Sequence, residues 1–186
     1  MIEEKYFKDF PFLETERLLL KKLELKDAPD LQLIRSDERV SKFLDSEKHA
    51  SLAHTERFIS DNLETYESGK GLFWGLIERS SNNFIGDLAF WRIDIRHSRA
   101  EIGYTLKPEY WGRGYMKEAM TRIIQFGYDE LNIHSIEANI NPKNENSRAL
   151  LLKMGFKKEA YFRENYFYNG EYLDTETYSL LRQDLQ

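Results

Sequence analysis

Cysteine is absent from the 186 residues, which excludes disulfides, thiolate catalysis and Cys-ligated metals. Proline is scarce, and no Pro/Gly-rich linker, internal repeat or low-complexity tract interrupts the chain. One domain over residues 1–186 is therefore expected, long enough to bury a sizeable core. No apolar run approaches the roughly 18 residues needed to cross a bilayer. The opening MIEEKYFKDF is charged and lacks the apolar stretch of a signal peptide. These absences predict a soluble cytoplasmic protein with no membrane partner. Surplus positive charge is also missing, since the net charge is −5, and this argues against a nucleic-acid partner. The four histidines (49, 54, 97 and 134) show no ligand spacing, so no metal is expected. His49 and His54 are five apart, which would put them off a common helical face. All four read as surface or packing residues.

What is present is globular: 41% hydrophobic and 14% aromatic residues. RLLLKKLEL (17–25) predicts a first strand. Asp27-Ala28-Pro29 then predicts a helix start, with Asp27 as N-cap and Pro29 in the first turn. Leu52, Phe58, Ile59, Leu63 and Tyr66 recur at helical spacing over 52–66. Strands are expected at LFWGLIE (72–78), NFIGDLAFWRI (83–93) and AEIGYTL (100–106), the last stopped by Pro108. Residues 114–131 carry a helical period, with Glu118 and Arg122 as an i,i+4 pair. SIEANIN returns to period two, and a helix over about 145–154 ends at Gly155. Asn169-Gly170 between β-rich flanks predicts a hairpin. The order gives an α/β (α+β) fold, a single mixed sheet with helices on both faces.

The junction EYWGRGYMKE (109–118) places Gly112 and Gly114 between a strand and a helix. Unpaired amides and the positive end of the helix dipole let such a junction bind an anion, with plain turn chemistry as the alternative reading of the two glycines. Arg113 and Lys117 add positive charge, so a phosphorylated cofactor is the natural guest. A Walker loop is excluded because Gly-Lys-Ser/Thr does not occur, and GRGYMK has lysine where a dinucleotide fingerprint needs its last glycine.

AEIGYTLKPEYWGRGYMKEAM followed by NPKNENSRALLLKMGF resembles the GNAT superfamily of acyl-CoA N-acyltransferases. Within it, the chain is most similar to the RimJ/RimL-type ribosomal-protein N-terminal acetyltransferases. ETERLLLKKLELKDA, FIGDLAF and NGEYLDTETYSLL extend the resemblance over nearly the whole chain. It implies a mostly antiparallel GNAT-like sheet and acetyl-CoA as acyl donor. The amides of Gly112, Arg113, Gly114, Tyr115, Met116 and Lys117 would wrap the diphosphate of coenzyme A. Glu109 stands where Gln or Arg is usual in the family pattern. Tyr104, Thr105 and Leu106 would flank the pantetheine arm, Asn144 would hydrogen-bond its amide, and Ser147 would lie near the thioester sulfur.

Acetyl transfer to an amine needs a neutral nucleophile, a polarised carbonyl and a proton for the departing thiolate. With no cysteine and no GxSxG elbow, direct attack in a ternary complex is expected. Glu101 is the first candidate base, because relatives carry a catalytic glutamate on that strand; an ordinary sheet carboxylate is the alternative. Glu164, in the FREN segment, is the second. The family's tyrosine four residues before Gly-Phe is Leu151 here, and the resemblance to the RimJ/RimL-type branch implies Ser147 as the substitute proton donor. A helix-capping role for Ser147 and Asn144 stays open, and so does a catalytically weak acyl-CoA-binding module. Trp74, Trp91 and Trp111 read as core or cleft wall, with Trp111 packing the glycine loop. The run Tyr161, Phe162, Tyr166, Phe167, Tyr168 reads as two faces of a hairpin strand, or as a dimer contact or acceptor wall. The acceptor class is an amine, on a protein N-terminus or a small molecule, and the chain is a monomer or homodimer.

Overall fold

The computed structural model describes residues 2–44 and 48–185. In the RLLLKK segment Leu18 and Leu20 are buried while Leu19 turns to the opposite face, and this alternation forms a strand. The elements in chain order are β1 (Leu13–Glu14), β2 (Leu18–Lys22), α1 (Ala28–Ser36), α2 (Glu38–Ser41) and α3 (Leu52–Glu67). There follow β3 (Leu72–Glu78), β4 (Phe84–Asp94), β5 (Arg99–Leu106), α4 (Tyr115–Asp129), β6 (Ser135–Ile140), α5 (Glu145–Lys153), β7 (Lys157–Tyr168) and β8 (Glu171–Leu181). The strands make one sheet in the order β1-β2-β3-β4-β5-β6-β8-β7. Every pairing is antiparallel except β5 with β6, where α4 supplies the crossover that a parallel connection requires.

Helices cover both faces. Leu72, Trp74 and Leu76 of β3 join one core with Met116, Ala119, Met120 and Ile123 of α4. Phe73 and Ile77, on the alternate face, join a second with Leu31 and Ile34 of α1 and Ile59 of α3. Each fully buried Leu, Ile or Phe contributes about 1.5–3 kcal/mol. Trp74 lies in the core, its indole donating to the Pro11 carbonyl at 2.8 Å.

Three local expectations are corrected. The first strand stops at Lys22, because Leu25–Asp27 winds into a 3-10 turn. Asp27 precedes α1 but does not cap it; its carboxylate accepts from Glu24 N at 2.9 Å, within its own turn. The Glu118–Arg122 pair does not form. Glu118 bonds Arg17 and Arg122 bonds Glu130, since longer-range partners offer better geometry. Asn169 and Gly170 both take positive φ (49° and 85°), the conformation a two-residue hairpin turn demands.

The feature that positions the site is a parting of strands. β5 and β6 are in register only at Arg99–Ser135, Ala100–Ile136 and Glu101–Glu137. Beyond that, residues 102–106 and 138–140 have no strand between them, although each keeps its other neighbour, β4 or β8.

Candidate active site

The glycine loop lies at the end of β5. Gly112 and Gly114 hold φ of 71° and 81°, a region that only glycine enters without strain. Gly114 stands at the N-cap of α4 and has no side chain to satisfy the helix amides. Among the described residues, the N–H groups of residues 112–117 have neither a backbone nor a side-chain acceptor. A Cβ on Gly112 would meet nothing within 4 Å, so the loop surface is open at that residue, whereas one on Gly114 would lie 3.5 Å from Arg17 Nη2. Six uncommitted donors at a helix N-terminus fit a diphosphate in number and polarity. Met116 is buried, which leaves only its amide for a ligand. Lys117 is exposed beside the loop. Trp111 fastens the loop by donating its indole N–H to Leu106 O at 2.8 Å. Glu109 is exposed and faces Arg39 at 3.7 Å.

The expected pantetheine strand has its open edge over residues 102–106. Thr105 turns its hydroxyl to buried Asp87, and Leu106 joins the core. Tyr104 reaches α5, where its hydroxyl lies 2.5 Å from Ser147 Oγ. Burial pushes the Tyr104 phenol up to about 12, against the lowering effect of the Ser147 bond, so it keeps its proton at neutral pH. Asn144 caps α5 by accepting from Ser147 N at 3.1 Å. Its cap role and a contact from its amide NH₂ are compatible. Leu151 is fully buried in the core.

Glu101 is 7% exposed, and both its oxygens are engaged. Arg92 Nη2 donates to Oε2, and Asn139 Nδ2 donates to Oε1 at 2.9 Å. Asn139 also donates to Glu137 at 2.8 Å and accepts from Thr177 Oγ1 at 2.7 Å. Arg99 pairs with Glu137 at 2.7 Å. A β-bulge between Phe90 and Arg92 sets this up, because the inserted Trp91 packs over Gly103, where a Cβ would lie 3.2 Å from the indole. By strand alternation Glu101 and Tyr104 leave opposite faces of β5. Glu164 lies elsewhere, exposed on a β7 bulge with φ of 50°, its backbone N–H donating to Asp174. Among the described residues no hydrogen bond joins its carboxylate to Glu101 or Ser147.

His49 is buried, its Nδ1 3.0 Å from Thr55 Oγ1, and its ring stacks on His54 at 4.9 Å. The two stack because His49 precedes α3 and does not lie on it. Burial, with Arg35 nearby, lowers its pKa to about 4, as befits a packing histidine. Among the described residues no cluster suited to a metal ion occurs. Nor is any helix there long and apolar enough to cross a membrane.

Sequence reasoning missed Arg17, Arg92 and Asn139. The one signal for Arg17 was Glu118, a carboxylate facing inward from the first turn beside the glycines.

Comparison with known proteins gives one family over most of the chain, described as the acetyltransferase (GNAT) domain, matching residues 17–157. The uncharacterized N-acetyltransferase YoaA of Bacillus subtilis (strain 168) is 34% identical, over 93% of this chain and 98% of its own. The [ribosomal protein uS5]-alanine N-acetyltransferase of Escherichia coli (strain K12) is 31% identical, over 60% of this chain and 58% of its own. The crystal structure of a GNAT-family acetyltransferase from Bacillus anthracis superimposes with a TM-score of 0.82 at 28% identity, covering 93% of this chain and 99% of that one.

Proposed function

This chain belongs to the GNAT acetyltransferase family, and on that premise we propose that it acetylates a protein N-terminal α-amine with acetyl-CoA as donor. The observation that carries this reading is the row of uncommitted amides at residues 112–117. They would hold the diphosphate, and the open edge of residues 102–106 would take the pantetheine amides. When bound, acetyl-CoA supplies an acetyl group already activated as a thioester. Asn144 would orient the arm through its free NH₂ end. Glu101, directly or through a water, would accept the proton of the attacking amine. Ser147 Oγ would hold a proton for transfer, backed by the Tyr104 hydroxyl.

An α-amine, with a pKa near 7.7–8, has a substantial neutral fraction at pH 7, whereas a lysine near 10.4 has little. A fixed geometry with one modestly placed base therefore suits the α-amine better. The uS5-alanine relative is consistent with such an acceptor. The small-molecule amines remain arms of the test. Purified protein is incubated with acetyl-CoA and a panel of peptides, polyamines and amino acids while thiol release is followed. Fastest turnover on a peptide with a free N-terminus, abolished by blocking that amine, is expected. Preference for a polyamine overturns the acceptor assignment, and coenzyme A binding without turnover on any amine overturns the transferase.

A further inference from the structure

The loop that faces the diphosphate is fastened from behind by a residue about a hundred positions earlier. Arg17, immediately before β2, donates from Nη1 to Arg113 O at 3.0 Å and from Nε to Glu118 Oε2 at 2.6 Å. Its backbone N–H reaches Glu118 Oε1 at 2.9 Å, where Thr15 Oγ1 also donates at 2.5 Å. The guanidinium lies 4.2 Å from the centre of the Tyr115 ring. The Tyr115 hydroxyl in turn donates to Glu78. One side chain thus grips the loop carbonyl, the first turn of α4 and the ring of its first residue.

Two consequences follow from elementary geometry and charge. The described backbone has no cis peptide bond, and in a trans peptide the C=O and the next N–H point in opposite directions. Pulling the Arg113 carbonyl toward Arg17 therefore turns the Gly114 N–H away from it, to the open side of the loop. Glu118 presents the second problem, since a carboxylate in the first turn opposes an anion at that helix end. Arg17 cancels that charge at contact distance.

Resting on the transferase reading above, we propose that Arg17 is a positioning residue for the diphosphate site: it aims the Gly114 amide outward and neutralises Glu118. It touches no reacting atom, so its effect falls on donor binding and not on the chemical step. A ligand without the diphosphate is blind to it.

The test compares wild type, Arg17→Ala and Arg17→Lys by calorimetry with coenzyme A and with pantetheine, and by kinetics with acetyl-CoA and S-acetylpantetheine. Circular dichroism checks that each variant is folded. Arg17→Ala is expected to weaken coenzyme A binding and raise the acetyl-CoA KM about ten- to a hundredfold, the loss of bonds to charged groups. Its kcat and its response to the pantetheine compounds stay at wild-type levels. Arg17→Lys recovers only part, because an ammonium lacks the fork that spans Glu118 and Arg113. Equal losses for full and truncated ligands would mean a merely structural role and overturn the proposal, as would no loss for either. If wild type binds coenzyme A yet transfers nothing, the transferase reading falls, while the binding ratio still decides the role of Arg17.

Discussion

Asn139 on β6 donates to Glu101 on β5 at 2.9 Å, and the two side chains meet where those strands cease to pair. The same NH₂ group reaches Glu137, the parallel partner of Glu101. Two carboxylates side by side at a strand junction would repel each other. Arg92, Arg99 and the shared Asn139 compensate them and hold the parting in place. Glu101 is thereby fixed next to the opening between the two strands.

Glu101→Gln removes the charge and keeps the shape. If Glu101 accepts the amine proton, kcat falls about 10²–10⁴-fold. The loss is greatest at low pH, where little of the acceptor is already neutral. A pH–rate comparison with wild type checks this, and a ratio independent of pH shows that the carboxylate only braces the strands.

Tyr104→Phe and Ser147→Ala each break the hydroxyl pair at the α5 end of the cleft. Acting as one proton-holding unit, they give kcat losses of about tenfold singly and little more together. A double-mutant cycle on kcat measures the coupling. Fully additive losses mean that the two hydroxyls serve separate purposes.

Gly114→Ala forces a Cβ into positive φ and costs about 1–2 kcal/mol of stability. Gly155→Ala, at φ of 89° behind α5, incurs the same strain away from the loop. Both variants lower Tm, but only Gly114→Ala weakens coenzyme A binding by calorimetry. Equal affinities in the two would remove the glycine loop from the binding site.

Glu176 is buried beneath β7 and α5, and burial alone would raise its pKa. Hydrogen bonds from Lys158, Arg148 and Tyr178 outweigh that and bring it to about 2. The folded value lies below the unfolded one, so this stability is complete above about pH 4.5 and fades as pH falls toward 2. Glu176→Gln is expected to cost about 2 kcal/mol at neutral pH, with the gap in Tm to wild type closing in acid. A gap constant from pH 7 to pH 3 rules out the ion pairs as its source.

Much of this protein was legible in its residues one stretch at a time. The apolar run LFWGLIE and the period two of SIEANIN mark strands, the spacing from Met116 to Tyr128 marks a helix, and Asn169-Gly170 marks a hairpin. Gly112 and Gly114 mark a glycine loop at a helix start, a pattern that plain turns share and that pointed to an anion only together with its family resemblance. These signals are local, arising from dihedral preference and from which face of an element shuns water. Partners far apart in sequence leave no such trace. Arg17 and Glu118 are 101 residues apart, and Tyr104 and Ser147 are 43. Around Glu101 the strand order β5-β6-β8, a bulge at Trp91 and the divergence after Glu101 decide who meets whom. Packing of α4 against β1 and β2 brings Glu118 to Arg17 in place of its helical neighbour Arg122. Local chemistry fixed the elements and the loop, whereas sheet register, a property of the whole chain, decided which side chains share a site.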